Sequence, residues 1–325
     1  MCQSRTQTMT TTTSSRDKIQ IMARRKFKGR SVNGVLLFDK HAGVSSNHAL
    51  QSVKRLFGAS KAGHTGSLDP LATGMLPICF GEATKISAFL LDADKRYRMR
   101  CRLGVTMDTG DADGKVIDER DCSHVTRADI EALLPDFLGE IEQIPPMYSA
   151  LKHEGQRLYK LAREGIEVER KPRKITIHEL ILHGYEDGVI DMEVACSKGT
   201  YVRTLAEDIG NRLDCGAHVI ALRRLAVGPY TGDMISLEQL QALAEQGRDA
   251  LDACLLPIES GIANWPDVKL DNDSAFYMRQ GQPILVPHAP TCGLVRIYHH
   301  QKFMGVGEIQ DDGRVAPKRM IQAAS

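Results

Sequence analysis

The stretch GHTGSLDPLATGMLP, residues 63–77, combines three glycines, two prolines, one histidine and one carboxylate. Glycine permits backbone conformations that are closed to other residues, and proline fixes φ and removes an amide donor. This composition disfavours helix and interior strand, and it predicts an ordered loop with a tightly specified path. Loops on rigid scaffolds often carry function. The single acid, Asp69, is therefore a candidate nucleophile, general base or metal ligand.

The Asp69-Pro70 pair also has a purely structural interpretation. Asp-Pro is a common turn in which the carboxylate bonds to nearby backbone amides. The density of special residues around the pair favours a functional loop, but composition alone does not identify a reaction.

Length and composition indicate a globular protein. The chain has 325 residues, which predicts two domains. Hydrophobic residues make up 42% and charged residues 26%, which excludes a disordered or membrane composition. The net charge is only +1, so a nucleic-acid surface would have to be local. Residues 24–30 and 95–102 are strongly basic.

The chain start and the cysteines point to a cytoplasmic protein. Residues 1–21 are polar and lack the apolar centre of a secretory signal, so residues 1–30 are predicted to be a disordered or basic tail. Met22 is an alternative start. The eight cysteines form no Cys-x-x-Cys pair, which argues against a zinc ribbon and indicates reduced thiols.

Hydrophobic periodicity predicts most of the regular elements. Strands are expected over residues 34–40, 96–103, 190–196 and 216–225, and helices after Ser45 or Ser46 and over residues 82–91, 126–138 and 236–246. The strand at 96–103 places Tyr97 on an apolar face and four arginines on the other. That basic face is either simply solvated or a site for RNA backbone.

Two further features concern charge. Asp108, Asp111 and Asp113 are spaced as in a calcium loop, but the terminal glutamate is missing, so no metal site is expected. Arg203 lies near the start of a predicted helix, where a cation opposes the helix dipole. It should therefore have a specific anionic partner.

Two segments suit RNA. Residues 145–174 interleave aromatic and basic residues, a pattern that favours stacking on bases and pairing with phosphates. An ordinary surface helix is the alternative. Residues 257–325 contain short strand-like runs, which predict a small β-rich module.

Several motifs together resemble the TruB-type pseudouridine synthases. They are GHTGSLDPLATG from Gly63, Asp39-Lys40, Lys95-Arg96-Tyr97, SKGTYVR from Ser197, and Leu222-Arg223-Arg224-Leu225. The resemblance implies an α+β fold, with a catalytic domain over residues 31–256 built on a mixed, mainly antiparallel sheet flanked by helices. It also implies an RNA-binding insertion at about residues 145–174 and a PUA-like RNA-binding domain over residues 257–325.

The resemblance also implies a reaction and a set of roles. Such enzymes isomerise uridine 55 in the tRNA T loop, with Asp69 as nucleophile, Arg203 as its partner, and Tyr97 stacking on the base and assisting proton removal. Arg203 should lower the pKa of Asp69. His64 would contact the T loop, and Tyr201 and Leu222 would line the uridine pocket. Attack at C1′ and attack at C6 are both compatible with the sequence.

The implied context is simple. No cofactor and no metal are expected, the partner is tRNA through its T arm, and no membrane or obligate protein partner is expected for this cytoplasmic monomer. The alternatives are a non-catalytic tRNA-binding or tRNA-folding protein, and a guide-dependent dyskerin-like synthase. The insertion at 145–174 favours stand-alone tRNA recognition. An aspartate-nucleophile hydrolase is weaker, because no phosphate loop accompanies Asp69.

Overall fold

The computed structural model describes residues 29–322, so the predicted tail lies almost wholly outside the described residues. No helix in this part of the chain is long and apolar enough to cross a membrane.

The strands, in chain order, are β1 (Gly34–Lys40), β2 (Ala62–His64), β3 (Thr73–Phe80), β4 (Lys95–Leu103), β5 (Val105–Met107), β6 (Val116–Glu119), β7 (Gly139–Gln143), β8 (Lys152–His153), β9 (Gln156–Arg157), β10 (Arg173–Glu186), β11 (Val189–Cys196), β12 (Ala217–Val227), β13 (Asp267–Leu270), β14 (Leu294–His299), β15 (Lys302–Ile309) and β16 (Val315–Met320). The helices are α1 (Ser46–Leu56), α2 (Ser87–Leu91), α3 (Arg127–Leu133), α4 (Leu158–Arg163), α5 (Val202–Arg212), α6 (Leu237–Gln246), α7 (Arg248–Ala253) and α8 (Asn272–Arg279).

One large sheet organises the chain up to β12. Its strand order is β1-β3-β12-β4-β11-β10-β7, with β2 added beside β3. All pairs are antiparallel except β12 with β3. The main apolar core includes side chains from α1, α5 and α6 and from one face of this sheet. The predicted α+β architecture, with a mixed and mainly antiparallel sheet flanked by helices, is confirmed.

The sheet is nearly divided between β3 and β12. These strands pair only at Thr73 with Arg223 and at Gly74 with Arg224. We call this contact the seam. Gly74 has φ of +95°, and a Cβ there would lie 2.3 Å from the Arg224 carbonyl oxygen, so the seam requires glycine. The loop of residues 65–72 lies at the seam, where β3 begins.

The predicted loop over residues 63–77 is too long. Its first residues form the end of β2, and residues 73–77 belong to β3, with Pro77 inside the strand. Pro77 lies opposite Leu37, whose carbonyl accepts from Ile235 on the other side of β1. The pair therefore needs no hydrogen bond between β1 and β3, and the missing N–H of proline removes no bond between them.

Two predicted helices are interrupted. Residues 82–91 form a 3-10 helix (Gly81–Lys85) followed by α2. Residues three apart share a face in both helix types, so the apolar spacing alone did not distinguish them. The helix predicted over 126–138 starts at its Thr126 cap but ends as α3, and a 3-10 turn (Leu134–Phe137) follows. Pro135 lacks the amide that would continue the α-helix.

The longest strand, β10, was not predicted. It has 14 residues, and the predicted insertion ends inside it. Register shifts occur between Ile177 and Glu179 and between Leu182 and Gly184. Such irregularities change which face successive side chains occupy and obscure the alternation that marks a strand.

The β-rich C-terminal module was predicted correctly. Four strands in the order β13-β14-β15-β16 and helix α8 enclose a separate apolar core. The buried side chains of Ile86, Ile262 and Val306 join this module to the part of the chain that forms the large sheet. The Lys85 ammonium also donates to the Met320 carbonyl at 2.9 Å. The expected division between residues 256 and 257 stays a prediction.

Candidate active site

Asp69 occupies the corner of a turn in the loop of residues 65–72. Its carbonyl accepts from the Ala72 N–H at 3.1 Å, and the Gly43 N–H donates to the Pro70 carbonyl at 2.9 Å. The turn expected at Asp69-Pro70 is therefore present, but the Asp69 carboxylate faces Arg203 and not the backbone amides that were expected to bind it. It leaves the Asp69 side chain 42% exposed, within reach of a ligand.

Lys40 stabilises this turn by hydrogen bonds to its backbone carbonyls. It is the last residue of β1, it is completely buried, and its ammonium donates to the carbonyls of Pro70 at 3.2 Å and Ala72 at 2.6 Å. Burial lowers the pKa of Lys40 to about 8, and the charge of Asp69 opposes that shift. The sequence analysis assigned no role to this lysine.

Arg224 and Ser46 hold the rest of the loop. The buried Arg224 guanidinium donates to the Met75 carbonyl at 2.7 Å and to the Gly66 carbonyl at 3.1 Å. The Ser46 hydroxyl accepts from the Leu68 N–H at 2.7 Å and donates to the Leu68 carbonyl at 3.0 Å. The loop backbone is thus satisfied by side chains instead of a strand ladder, which explains its defined path.

Arg203, in the first turn of α5, is the direct partner of Asp69. Its Nε lies 3.0 Å from the Asp69 carboxylate. Nη1 donates to the Thr109 carbonyl at 2.5 Å and lies 3.4 Å from the Asp111 carboxylate, and Nη2 donates to the Tyr148 carbonyl at 2.7 Å. The Arg203 side chain is only 7% exposed, and these contacts fix the plane of its guanidinium. The anionic partner predicted for Arg203 is present.

Asp111 is a second carboxylate that the sequence analysis missed. It is 7% exposed, and it accepts from the Thr109 hydroxyl at 2.7 Å and from the Asp113 N–H at 3.2 Å. The three aspartates were noticed, but only as a rejected calcium loop. Among residues 29–322 no cluster of three or more His, Cys, Asp or Glu side chains could hold a metal ion. One signal could have indicated Asp111 as a further partner of Arg203: a guanidinium has more donors than a single aspartate can use.

The electrostatics of Asp69 differ from the prediction. Burial raises the pKa of the Asp69 carboxyl above its usual value and Asp111 adds to the rise, whereas Arg203 and Lys40 lower it. The expected sign of the Arg203 contribution is correct, but the net shift is upward because burial outweighs it. The site holds a carboxylate that is ionised less readily than an ordinary aspartate.

Tyr97 and Tyr201 lie close enough for the charge of Asp69 to act on both phenols. Burial raises the pKa of Tyr97, whereas the charge of Arg224 lowers it. Arg224 on β12 lies opposite Tyr97 on β4. Burial also raises the pKa of Tyr201. The Tyr201 backbone precedes α5 and is fixed on both sides by the Gln143 amide, at 2.8 and 3.1 Å.

Leu222 and His64 lie on strands next to the loop of residues 65–72. Leu222, on β12, lines a cavity of about 540 Å³ together with Leu71 from the loop of residues 65–72. His64 ends β2, and burial, assisted by the charge of Arg224, lowers its pKa. The site therefore brings Asp69 and Arg203 into contact, with the two tyrosines beside them and the other two residues at the margin.

The basic face of β4 is partly neutralised. Arg96 lies 2.6 Å from both Glu179 and Glu193, and Arg98 lies 2.9 Å from Asp191. The simple solvated-face interpretation therefore fits these two arginines. RNA binding by this face and by the insertion stays a prediction.

Comparisons with known proteins find matches over most of the chain. Residues 54–202 match the TruB family pseudouridylate synthase (N terminal domain), residues 203–263 the tRNA pseudouridylate synthase B C-terminal domain, and residues 266–321 the pseudouridine synthase II TruB C-terminal family. The chain is 57% identical over 303 residues to tRNA pseudouridine synthase B of Nitrosococcus oceani, covering 93% of this chain and 98% of that protein. It is 54% identical to the Serratia proteamaculans protein of the same name, covering 92% and 98%.

A solved structure shares the fold. It is described as "Structure of H/ACA RNP bound to a substrate RNA containing 2'-deoxyuridine", and one of its chains superposes with a TM-score of 0.69 at 21% identity. The match covers 89% of this chain and 85% of that chain. At this identity the likeness concerns architecture.

Proposed function

Because the chain belongs to the TruB family of pseudouridylate synthases, we propose that it isomerises uridine 55 in the T loop of tRNA, with Asp69 as the nucleophile. The observation that carries this proposal is the contact between Asp69 and the buried Arg203, at 3.0 Å. A half-exposed carboxylate beside a fixed guanidinium is suited to attack an electrophilic carbon of a bound nucleotide.

The chemistry is balanced without a second substrate. The N1–C1′ bond breaks, the uracil turns, and a C5–C1′ bond forms. The proton on C5 is released and N1 takes up a proton, so the product is an isomer of the substrate. Asp69 forms the covalent intermediate at C1′ or at C6 and is regenerated at the end.

Arg203 prepares the nucleophile in two ways. Its charge opposes the rise that burial causes in the pKa of Asp69. Its contacts with Thr109, Asp111 and Tyr148 hold the guanidinium in place before substrate arrives. Preorganised charge of this kind needs no rearrangement during the reaction.

Tyr97 is better suited to stack on the base than to remove its proton. Burial raises the pKa of this phenol above its usual value. The phenolate that would accept the C5 proton is therefore less populated at neutral pH. We assign Tyr97, Tyr201 and Leu222 to a pocket for a flipped uridine, since target atoms inside a folded RNA loop are otherwise out of reach. His64 is assigned to contact with the T loop.

The test is incubation of the purified protein with an unmodified tRNA transcript, followed by mapping of pseudouridine by position. We expect a signal confined to the T loop. Asp69→Asn should abolish it while tRNA binding persists, because phosphate contacts are retained. Asp136→Asn is the matched control, since Asp136 pairs with Arg212 at an exposed site. Full activity in Asp69→Asn would remove the nucleophile assignment, and no product from wild type would remove the function.

A further inference from the structure

The cavity of about 540 Å³ lies beside the seam, before the two residues at which β3 and β12 pair. Leu71 and Thr73 line it from the chain that enters β3, and residues 220–223 line it from β12. Neither Asp69 nor Arg203 is among the residues that line it. The cavity is therefore a separate space next to the Asp69–Arg203 contact.

The cavity shares a wall with the turn that carries Asp69. Gly43 lines the cavity, and its N–H donates to the Pro70 carbonyl of that turn at 2.9 Å. Asp113 also lines the cavity, and its charge is close enough to raise the pKa of Asp69. A nucleotide that lies against Asp69 therefore has the next backbone groups of its strand within reach of the cavity.

The charges that line the cavity are three arginines and one aspartate, so the lining is positive overall. Two of the arginines are already neutralised. The Arg98 guanidinium donates to both carboxylate oxygens of Asp191, at 2.9 and 3.0 Å. The Arg223 guanidinium donates to both carboxylate oxygens of Asp39, at 3.0 and 2.7 Å. The third arginine, Arg100, is the positive charge that remains available to a ligand.

Arg100 is exposed and makes no ion pair within residues 29–322. Asp191 lies opposite it in the register of β4 and β11, but both Asp191 oxygens accept from Arg98. On the other side of β4 its partner in register is Ala221, which carries no charge. Neither neighbouring strand therefore neutralises Arg100 by direct contact.

We propose that Arg100 binds a backbone phosphate of the tRNA next to the target nucleotide, with the cavity holding that part of the RNA. This inference rests on the proposed function. A guanidinium can form two parallel hydrogen bonds with a phosphate, which fix the position of the anion. A cavity of this volume is in the range that accommodates a nucleotide. Arg100 is thus a positioning residue that sets where the RNA strand lies relative to Asp69.

Arg102→Ala is the matched control for Arg100→Ala. Both arginines are exposed and lie on the same face of β4, because residues two apart in a strand point the same way. Only Arg100 lines the cavity. Each substitution removes one positive charge from the same strand face, so the long-range attraction of RNA falls equally in both variants.

The measurement is the affinity of the full-length proteins for unmodified tRNA transcript over a series of salt concentrations. Arg100→Ala should weaken binding roughly 3–10-fold at about 0.1 M salt, and the slope of log affinity against log salt should become shallower by about 0.7–0.9, as for one lost phosphate contact. Arg102→Ala should leave the slope unchanged. Arg100→Lys keeps a point charge and should restore most of the slope. The melting temperatures should match that of wild type, because both side chains are exposed.

Uncharged linkages in the RNA locate the contact. In a synthetic T-arm stem–loop, one phosphate at a time is replaced by a methylphosphonate. Replacement of a phosphate beside the target uridine should weaken binding to wild type. It should not weaken binding to Arg100→Ala any further, because the two changes remove the same contact.

The outcomes separate this inference from the proposed function. Equal changes in affinity and salt slope in Arg100→Ala and Arg102→Ala would mean that only general attraction is lost, and the inference is then wrong. It is also wrong if no phosphate beside the target uridine is coupled to Arg100, or if Arg100→Ala loses binding of inorganic phosphate but not of tRNA. These binding measurements do not depend on turnover. If wild type binds tRNA but forms no pseudouridine, the proposed function fails instead.

Discussion

Replacing Arg203 by lysine tests most sharply whether the fixed guanidinium of Arg203 prepares Asp69 for the reaction. Three nitrogens of the guanidinium contact groups from three different segments, at Asp69, Thr109 and Tyr148. A lysine has one nitrogen on a flexible chain, and it can retain at most one or two of these contacts at once. Arg203→Lys preserves the charge and removes the geometry.

The magnitude follows from the bonds that are lost. The part-buried carbonyls of Thr109 and Tyr148 cannot both keep their charge-assisted donor. With hydrogen bonds to a charged group contributing about 1.5–3 kcal/mol each, the free energy of unfolding should fall by about 3 kcal/mol. Marginal stability is typically about 5–15 kcal/mol, so the variant should remain folded under assay conditions. Turnover should fall by roughly 100-fold or more, as for loss of a preorganised donor.

The measurements are urea unfolding, equilibrium binding of unmodified tRNA, and the single-turnover rate of pseudouridine formation. The matched control is Arg212→Lys on the same helix, because Arg212 is 58% exposed and pairs with the exposed Asp136. That control should change stability by less than about 0.5 kcal/mol. Wild-type turnover in Arg203→Lys, or equal losses in turnover and in tRNA affinity, would refute the reasoning.

Three further results are expected. Asp69→Asn should raise the melting temperature at pH 7, because the folded-state pKa of Asp69 is raised and its ionised form destabilises the fold; this gain should disappear below pH 3.8, where an ordinary aspartate is also protonated. Thermal scans across pH test the sign, and a lower melting temperature at pH 7 would contradict it. Asp111→Asn should shift the acid limb of the pH–rate profile to lower pH, because Asp111 helps to raise the pKa of Asp69; an unmoved limb would disconnect the two carboxylates. Lys40→Met should lose about 3 kcal/mol of stability at pH 7 by leaving buried carbonyls unsatisfied. As the pH rises from 8 to 10.5, wild type should gain stability relative to Lys40→Met, because the pKa of Lys40 is lowered to about 8 in the folded protein. Urea unfolding at several pH values measures this. A difference in unfolding free energy between the two proteins that does not change with pH would contradict it.

The sequence indicated the strands best where one face is buried. The alternation at Tyr97, Met99 and Cys101 is uninterrupted, and β4 was predicted almost to its ends. The same principle failed for β10, where register shifts break the alternation. It also failed around Pro77, where the supporting bonds come from segments distant in sequence.

The site could be predicted where a residue type and its position alone require a particular kind of partner. A cation at a helix start requires an anion, so a partner for Arg203 was expected, and the resemblance supplied Asp69. The roles of Lys40 and Arg224 depend on backbone carbonyls that only the folded loop brings into reach. The net pKa shift of Asp69 could not be predicted, because it depends on how deeply the carboxylate is buried.

The narrow seam between β3 and β12 has a consequence for motion. Asp69 precedes β3, whereas Arg203 belongs to α5, which packs against β12 on the other side of the seam. With two residue pairs joining β3 to β12, this is the boundary where breathing of the sheet disrupts the least backbone pairing. Opening of the sheet at this boundary would change the distance between Asp69 and Arg203. The line of least backbone pairing in the sheet thus runs between the segment that carries Asp69 and the helix that carries Arg203, and the Arg224 side chain bridges it through the carbonyls of Met75 and Gly66.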